Sequence, residues 1–386
     1  MLHCPSAPRG SRFTLPVLIG LVAWLCVGEG SVAAQSVAAQ PVAAQPVVAQ
    51  TADETPTPGR ALYARYCELC HAKDGTGYAA DNAPSLVSPM FLTAASDDFI
   101  ARGIRLGRPN TAMAAYGNRS GGPLDDAQIA AIVVFLRSFG PPAITLPEQK
   151  PSGDVARGAA LFRTQCASCH GTASKTGKAP RLHNPEFLAA ASPAFLRHSI
   201  LHGRPPTRMP AFEQRLSAGQ VEDLVAWLGS LPTQTSTAPR TNPEIKDDLP
   251  LLRHPKGKAP SFALREGRFV SAEQVKRAFD AKQRFITIDA RSPSDWLQFR
   301  IPGALPIPYY DVAKLNRIPN DGTWIVAYCA CPHHASGEVV DALRRLNYPN
   351  TAVLDEGILF WREHGYPLEG EAVGPPNSPA GAPHKR

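Results

Sequence analysis

Apolar residues recur along this chain in blocks that come twice. LDDAQIAAIVVFLRSF (124–139) aligns with LSAGQVEDLVAWLGSL (216–231) at an offset of 92. In the second copy Leu216, Val221, Leu224, Val225, Trp227 and Leu228 fall near helical spacing, which predicts an amphipathic helix with one buried face. RALYARYCELCH (60–71) aligns with GAALFRTQCASCH (158–170) at 99, and APSLVSPMFL (83–92) with APRLHNPEFL (179–188) at 96. GRPNTAMAAYG (107–117) aligns with GRPPTRMPAF (203–212), again at 96. The offset changes only between blocks, so insertions fall in loops. Each copy predicts a helix before a cysteine pair and a closing helix.

The pattern changes over 261–370. FITID (285–289), WIVAYC (324–329) and TAVLD (351–355) are short apolar runs of the kind that buried strands make. ASGEVVDALRRL (335–346) predicts a helix, as does 272–281, where Ser271 and Gln274 make a capping box. Strands alternating with helices predict an α/β unit with a central parallel sheet. The expected architecture is multidomain: two all-α units at 58–140 and 153–232, then an α/β domain at 261–370. Linkers rich in Pro and Thr separate them at about 140–152 and 232–260, and a Pro/Gly-rich tail at 371–386 is expected to be disordered.

At the N-terminus, Arg9 and Arg12 precede an apolar run from Phe13 to about Val27, too short for a span and suited to a signal-peptide core. Residues 1–34 are read as a signal peptide, cleaved after Ala34 or Ala39, or as an anchor. Residues 35–57, with their SVAAQ-like pentapeptides, are read as a flexible linker. The 386 residues carry a net charge of +7, with no dense Lys/Arg run, so nucleic-acid binding is not expected. The diffuse positive charge suits small anions and acidic redox partners. Of the eight cysteines, Cys4 and Cys26 fall in the leader; the rest form close pairs, 67/70, 166/169 and 329/331.

Cys67-Glu68-Leu69-Cys70-His71 and Cys166-Ala167-Ser168-Cys169-His170 are both C-x-x-C-H. Thiols one helical turn apart reach the two vinyl groups of one porphyrin, and the adjoining His turns its ring nitrogen to the iron. One such motif also suits a zinc knuckle or a redox dithiol; two copies in a repeat behind an export signal favour two covalently bound haem c groups. Met113 and Met209 hold equivalent positions after Gly-Arg-Pro and are the candidate sixth ligands, with His198 and His202 as rivals at the second iron. Met90 aligns with Glu186 and is read as packing.

On these residues the chain resembles the class I cytochrome c family over about 58–140 and 153–232. The resemblance implies two small helical domains, with His71 and Met113 on one iron and His170 and Met209 on the other. Pro84 and Pro180 would supply backbone carbonyls to the two proximal histidines. Tyr63, Tyr66, Phe135, Phe162 and Trp227 are read as core packing.

Cys329 ends an apolar strand just before a helix, where loop amides and the helix dipole stabilise a thiolate or an anionic persulfide. His333, His334 and Arg291 would add positive character. Over about 262–370 the chain resembles the rhodanese-like superfamily: ITIDARSPSDW (286–296), IPGALPIP (301–308), the strand and Cys at 324–329, and LDEGILFWREHGYP (354–367). The resemblance implies Cys329 as the sulfurtransferase cysteine, with Asp289 and Arg291 as its D-x-R signature. Phe299-Arg300 stands where Gly-His is usual, and the loop CACPHHAS lacks the common Gly and Arg. Three readings of this loop stay open. Cys329 carries a persulfide that Cys331 resolves; or the domain is degenerate and binds a partner; or Cys329, Cys331, His333 and His334 hold copper or zinc.

The expectation is a periplasmic dihaem electron-transfer protein, soluble or tethered to the inner membrane. It would couple a small inorganic sulfur anion or a persulfide to a soluble cytochrome or a terminal oxidase. A plain carrier and a thiosulfate-oxidising dihaem dehydrogenase are the alternatives.

Overall fold

The computed structural model describes residues 57–80, 82–233, 245, 248–330 and 333–371. The leader, nearly all of the pentapeptide linker, Cys331 and all but the first residue of the C-terminal tail lie outside the described residues. Among the described residues no helix is long and apolar enough to cross a membrane.

The first helical unit contains α1 (Pro58–Tyr66), α2 (Glu68–His71), α3 (Pro89–Ala94), α4 (Asp97–Leu106) and α5 (Asp126–Arg137). The second repeats it as α6 (Val155–Gln165), α7 (Ala167–His170), α8 (Pro185–Ala190), α9 (Pro193–His202) and α10 (Ala218–Ser230). Equivalent caps start equivalent helices. Ser96 accepts from Phe99 N–H and Ser192 from Phe195 N–H. Asp125/Gln128 and Ser217/Gln220 form reciprocal capping boxes at α5 and α10. In each unit the first helix crosses the last at a glycine. A Cβ on Gly59 would lie 2.1 Å from Ala131 O, and one on Gly158 would lie 1.9 Å from Asp223 O. Only glycine permits that approach.

The two units pack through α3/α9 and α4/α8. Phe99 stacks on Phe195 with centroids 4.5 Å apart. The N-caps of α3 and α8 reach across: Ser88 Oγ donates to Pro205 O at 2.8 Å and Asn184 Nδ2 to Pro109 O at 2.9 Å.

The third domain runs β1 (Phe269–Val270), α11 (Ala272–Asp280), β2 (Phe285–Asp289), α12 (Pro293–Gln298), β3 (Leu305–Pro306), β4 (Trp324–Tyr328), α13 (His334–Arg345), β5 (Thr351–Leu354) and α14 (Gly357–Glu363). The strands form one parallel sheet in the order β1-β5-β4-β2-β3. Both of its faces are buried. Ile286, Ile288, Ile325, Ala327 and Val353 pack with Val339, Val340 and Leu343 of α13. Phe285, Val326, Tyr328, Ala352 and Leu354 point the other way, onto Val275 and Ala278 of α11 and Ile358 and Trp361 of α14. The predicted strands and helices are present. The two-residue β1 and β3 were not predicted, being too short to carry a periodicity. The capping box at α11 is half made. Ser271 caps Gln274 N–H, but the Gln274 amide bonds both backbone groups of Ala263.

Candidate functional site

The two C-x-x-C-H turns have the same local geometry. The incoming helix breaks at its first cysteine, with φ −120° at both Cys67 and Cys166. A new turn then forms, in which His71 N–H donates to Cys67 O and His170 N–H to Cys166 O, both at 2.9 Å. This sets two thiols and one imidazole on one short turn. His71 Nδ1 lies 2.9 Å from Pro84 O and His170 Nδ1 2.7 Å from Pro180 O. A carbonyl only accepts, so Nδ1 carries the proton and Nε2 keeps its lone pair for a metal. Burial holds both imidazoles below the usual histidine range, hence neutral. Burial also pushes the Cys67 thiol up to about 12 and the Cys166 thiol up to about 11. Among the described residues no group of three or more His, Cys, Asp or Glu could hold a metal ion.

The Met113 and Met209 loops are built alike. Arg108 N–H donates to Met113 O at 2.7 Å and Arg204 N–H to Met209 O at 2.9 Å. Thr111 Oγ1 accepts from Met113 N–H and Thr207 Oγ1 from Met209 N–H. Sequence reasoning passed over these threonines, although both stand at one position of the repeat. Gly107 (φ +64°) and Gly203 (φ +63°) end α4 and α9, and a Cβ there would strike the backbone just past each methionine. The rival histidines engage each other. His198 and His202 have centroids 4.5 Å apart, and the exposed His202 lies 3.8 Å from Glu213. Buried Nη1 of Arg204 has no hydrogen-bond partner among the described residues, leaving a donor for an acidic cofactor substituent. The donor set thus fits haem c: two thiols, an imidazole whose Nδ1 is held by a backbone carbonyl, and a thioether on a firm loop.

Cys329 follows β4 at the C-terminal edge of the sheet and is 2% exposed. Its Sγ lies 3.2 Å from Ser336 Oγ in the first turn of α13. His333 adopts φ 89°, and its Nε2 lies 2.8 Å from Asp355 Oδ1. Arg265 holds the Asp355 carboxyl below the usual range. Asp355 therefore orients the His333 ring. The D-x-R pair is turned inward. Arg291 binds Asp289 Oδ2 at 2.7 Å and Phe299 O at 2.6 Å, and the two side chains are 4% and 0% exposed. Asp289 pairs the Arg291 charge, and together they brace the β2–α12 loop.

The edge that carries Cys329 faces the first helical unit. Ser294 Oγ donates to Ala115 O at 2.6 Å, and Tyr309 OH donates to Tyr66 O at 2.8 Å. Tyr309 OH is 3.3 Å from Tyr116 OH, and Tyr310 packs edge-on against Tyr66 at 4.8 Å. Burial raises the phenols of Tyr116, Tyr309 and Tyr310, which stay neutral. Tyr66, read from sequence as core packing, is buried in the helical core and also forms part of this tyrosine seam. The seam was not foreseen, because its members come from three segments far apart in the chain: the end of α1, the loop after Met113 and the loop after β3.

Residues 54–136 and 153–228 match the family model described as cytochrome c oxidase, cbb3-type, subunit III, and residues 271–364 match that of the rhodanese-like domain. The chain is 31% identical over 184 residues to the cbb3-type cytochrome c oxidase subunit FixP of Bradyrhizobium sp. (strain ORS 278), covering 45% of this chain and 60% of that protein. It is 43% identical over 77 residues to the dihydro-heme d1 dehydrogenase of Pseudomonas aeruginosa, covering 20% of this chain and 15% of that protein. It is also similar to the solution structure of a rhodanese-like domain from Anabaena sp., at 25% identity and a TM-score of 0.26, covering 32% of this chain and 91% of that one.

Proposed function

We propose, from a chain that consists of two tandem cytochrome c domains followed by a rhodanese-like domain, that this is a periplasmic dihaem electron-transfer protein fed by sulfur chemistry at Cys329. Cytochrome c domains of this kind imply covalently bound haem c. Cys67, Cys70, His71 and Met113 would hold one haem, and Cys166, Cys169, His170 and Met209 the other. Each bound haem supplies one reversible electron store. The chain's own part is to fix the two imidazoles through Pro84 O and Pro180 O, to hold the methionine loops through Thr111 and Thr207, and to exclude water from both sites.

The observation that carries the sulfur reading is the docking of the Cys329 edge onto the first cytochrome domain. Joining hydrosulfide to the Cys329 thiol forms an S–S bond and releases two electrons and one proton (HS⁻ + Cys–SH → Cys–S–SH + H⁺ + 2e⁻). Two one-electron stores match that count. The relative named as an oxidase subunit favours a protein acceptor, a soluble cytochrome or a terminal oxidase. The test is anaerobic addition of sulfide to the ferric protein, followed in visible absorbance. Reduction should slow at least about tenfold in Cys329→Ser; equal rates would remove the sulfur site from the reading.

The inward-turned Asp289–Arg291 pair and the burial of Cys329 favour a second reading, a carrier whose rhodanese-like domain only holds a partner. Cyanolysis with thiosulfate separates the two. Thiocyanate formed by wild type and not by Cys329→Ser supports sulfur transfer, and none from either supports the carrier.

A further inference from the structure

The two methionine loops are alike inside and unlike outside. Met209 is followed by Pro210, which fixes φ and stiffens the chain through its unfolded state. Met113 is followed by Ala114, which lacks that restraint. The second loop is open to solvent: Pro206, Pro210 and Ala211 are exposed. Two of their counterparts in the first loop, Asn110 and Ala115, meet the rhodanese-like domain. Asn110 Oδ1 accepts from Arg362 Nη1 at 2.8 Å, and Ala115 O accepts from Ser294 Oγ at 2.6 Å. Ser294 is 1% exposed and Ala115 4%. One contact lies three residues before Met113 and the other two residues after it. Arg362 belongs to α14 and Ser294 to α12, so the loop is held from two separate elements.

We infer that Ser294 and Arg362 are positioning residues for the first haem: the rhodanese-like domain clamps the Met113 loop at both ends and supplies the rigidity that Pro210 supplies in the second repeat. The inference rests on the reading of Met113 as a sixth ligand. A buried hydroxyl-to-carbonyl bond resists loop opening by a factor of about three to ten, and an exposed Arg–Asn bond by less. The clamp also ties the sixth-ligand loop of one haem to the domain that holds Cys329.

The test uses the full holoprotein in two backgrounds. Met209→His leaves Met113 as the sole source of the sulfur-to-iron band at the red edge of the ferric spectrum, and Met113→His leaves Met209. Imidazole titration then measures how easily the remaining methionine is displaced. In the Met209→His background, Ser294→Ala should bind imidazole about three- to tenfold more tightly, and Arg362→Gln about twofold. In the Met113→His background neither should change it. Arg362 is only half-buried, so its variant reports even if Ser294→Ala fails to fold. Unchanged affinity in both backgrounds, or an equal gain in both, overturns the clamp while leaving the ligand assignment intact. A missing band in the Met209→His background overturns the assignment itself and the inference with it.

Discussion

Ala72 ends the first haem-type turn at φ 65° and ψ 160°, a region that side chains avoid, and Gly171 stands at its counterpart with φ 73°. An alanine held there costs about 1–3 kcal/mol, and replacing it with glycine gives back about 0.4–1 kcal/mol through the looser unfolded chain. Ala72→Gly should therefore stabilise the protein by about 1 kcal/mol, read as a higher urea midpoint; a lower midpoint would contradict the strain. At this scale much was legible. C-x-x-C-H is local, so spacing alone brings two thiols and an imidazole together. The Pro84 and Pro180 carbonyls came from the family resemblance, and the structure has both within hydrogen-bond distance of the histidines. Thr111 and Thr207 went unread because a threonine two residues before a methionine carries no chemistry until the loop closes. The inward pairing of Asp289 with Arg291 was hidden too. A charged pair in a family signature reads as a site, and only burial reveals a brace.

The elements of the third domain were legible wherever a strand was long enough to be buried on both faces, as in β2 and β4. The two-residue β1 and β3 exist only because their neighbours offer a register, Ile288 to Leu305 for one and Val353 to Phe269 for the other. The short helix α12 carries a test of its own. Burial raises the Asp295 carboxyl from 3.8 to about 6, against the pull of Arg291 3.8 Å away. A folded-state value above the unfolded one favours the protonated form in the fold. Stability from this group is thus complete below about pH 4 and is lost as pH rises through about 6. Asp295→Asn should be more stable than wild type at pH 7.5, on the order of 2 kcal/mol, with the gap closing by pH 4. A difference between the two urea midpoints that does not vary with pH would contradict this.

For the whole molecule, two helical units and an α/β unit were legible from one repeat and one change of periodicity, and their likeness to cytochrome c and rhodanese-like domains from the motifs they carry. How they meet was not. The contacts that seat the Cys329 edge on the first unit join residues 177 to 252 positions apart, and no local pattern encodes them. The near twofold match of Ser88–Pro205 with Asn184–Pro109 was hidden likewise, because Ser and Asn differ as letters and agree only as caps. All of these relations concern electron transfer only if both turns grip a porphyrin. Intact mass of the purified protein, before and after acid–acetone extraction, measures that directly. The expected result is the polypeptide plus two haems, unchanged by extraction. A polypeptide with no added haem, or colour that passes into the acetone, would contradict it.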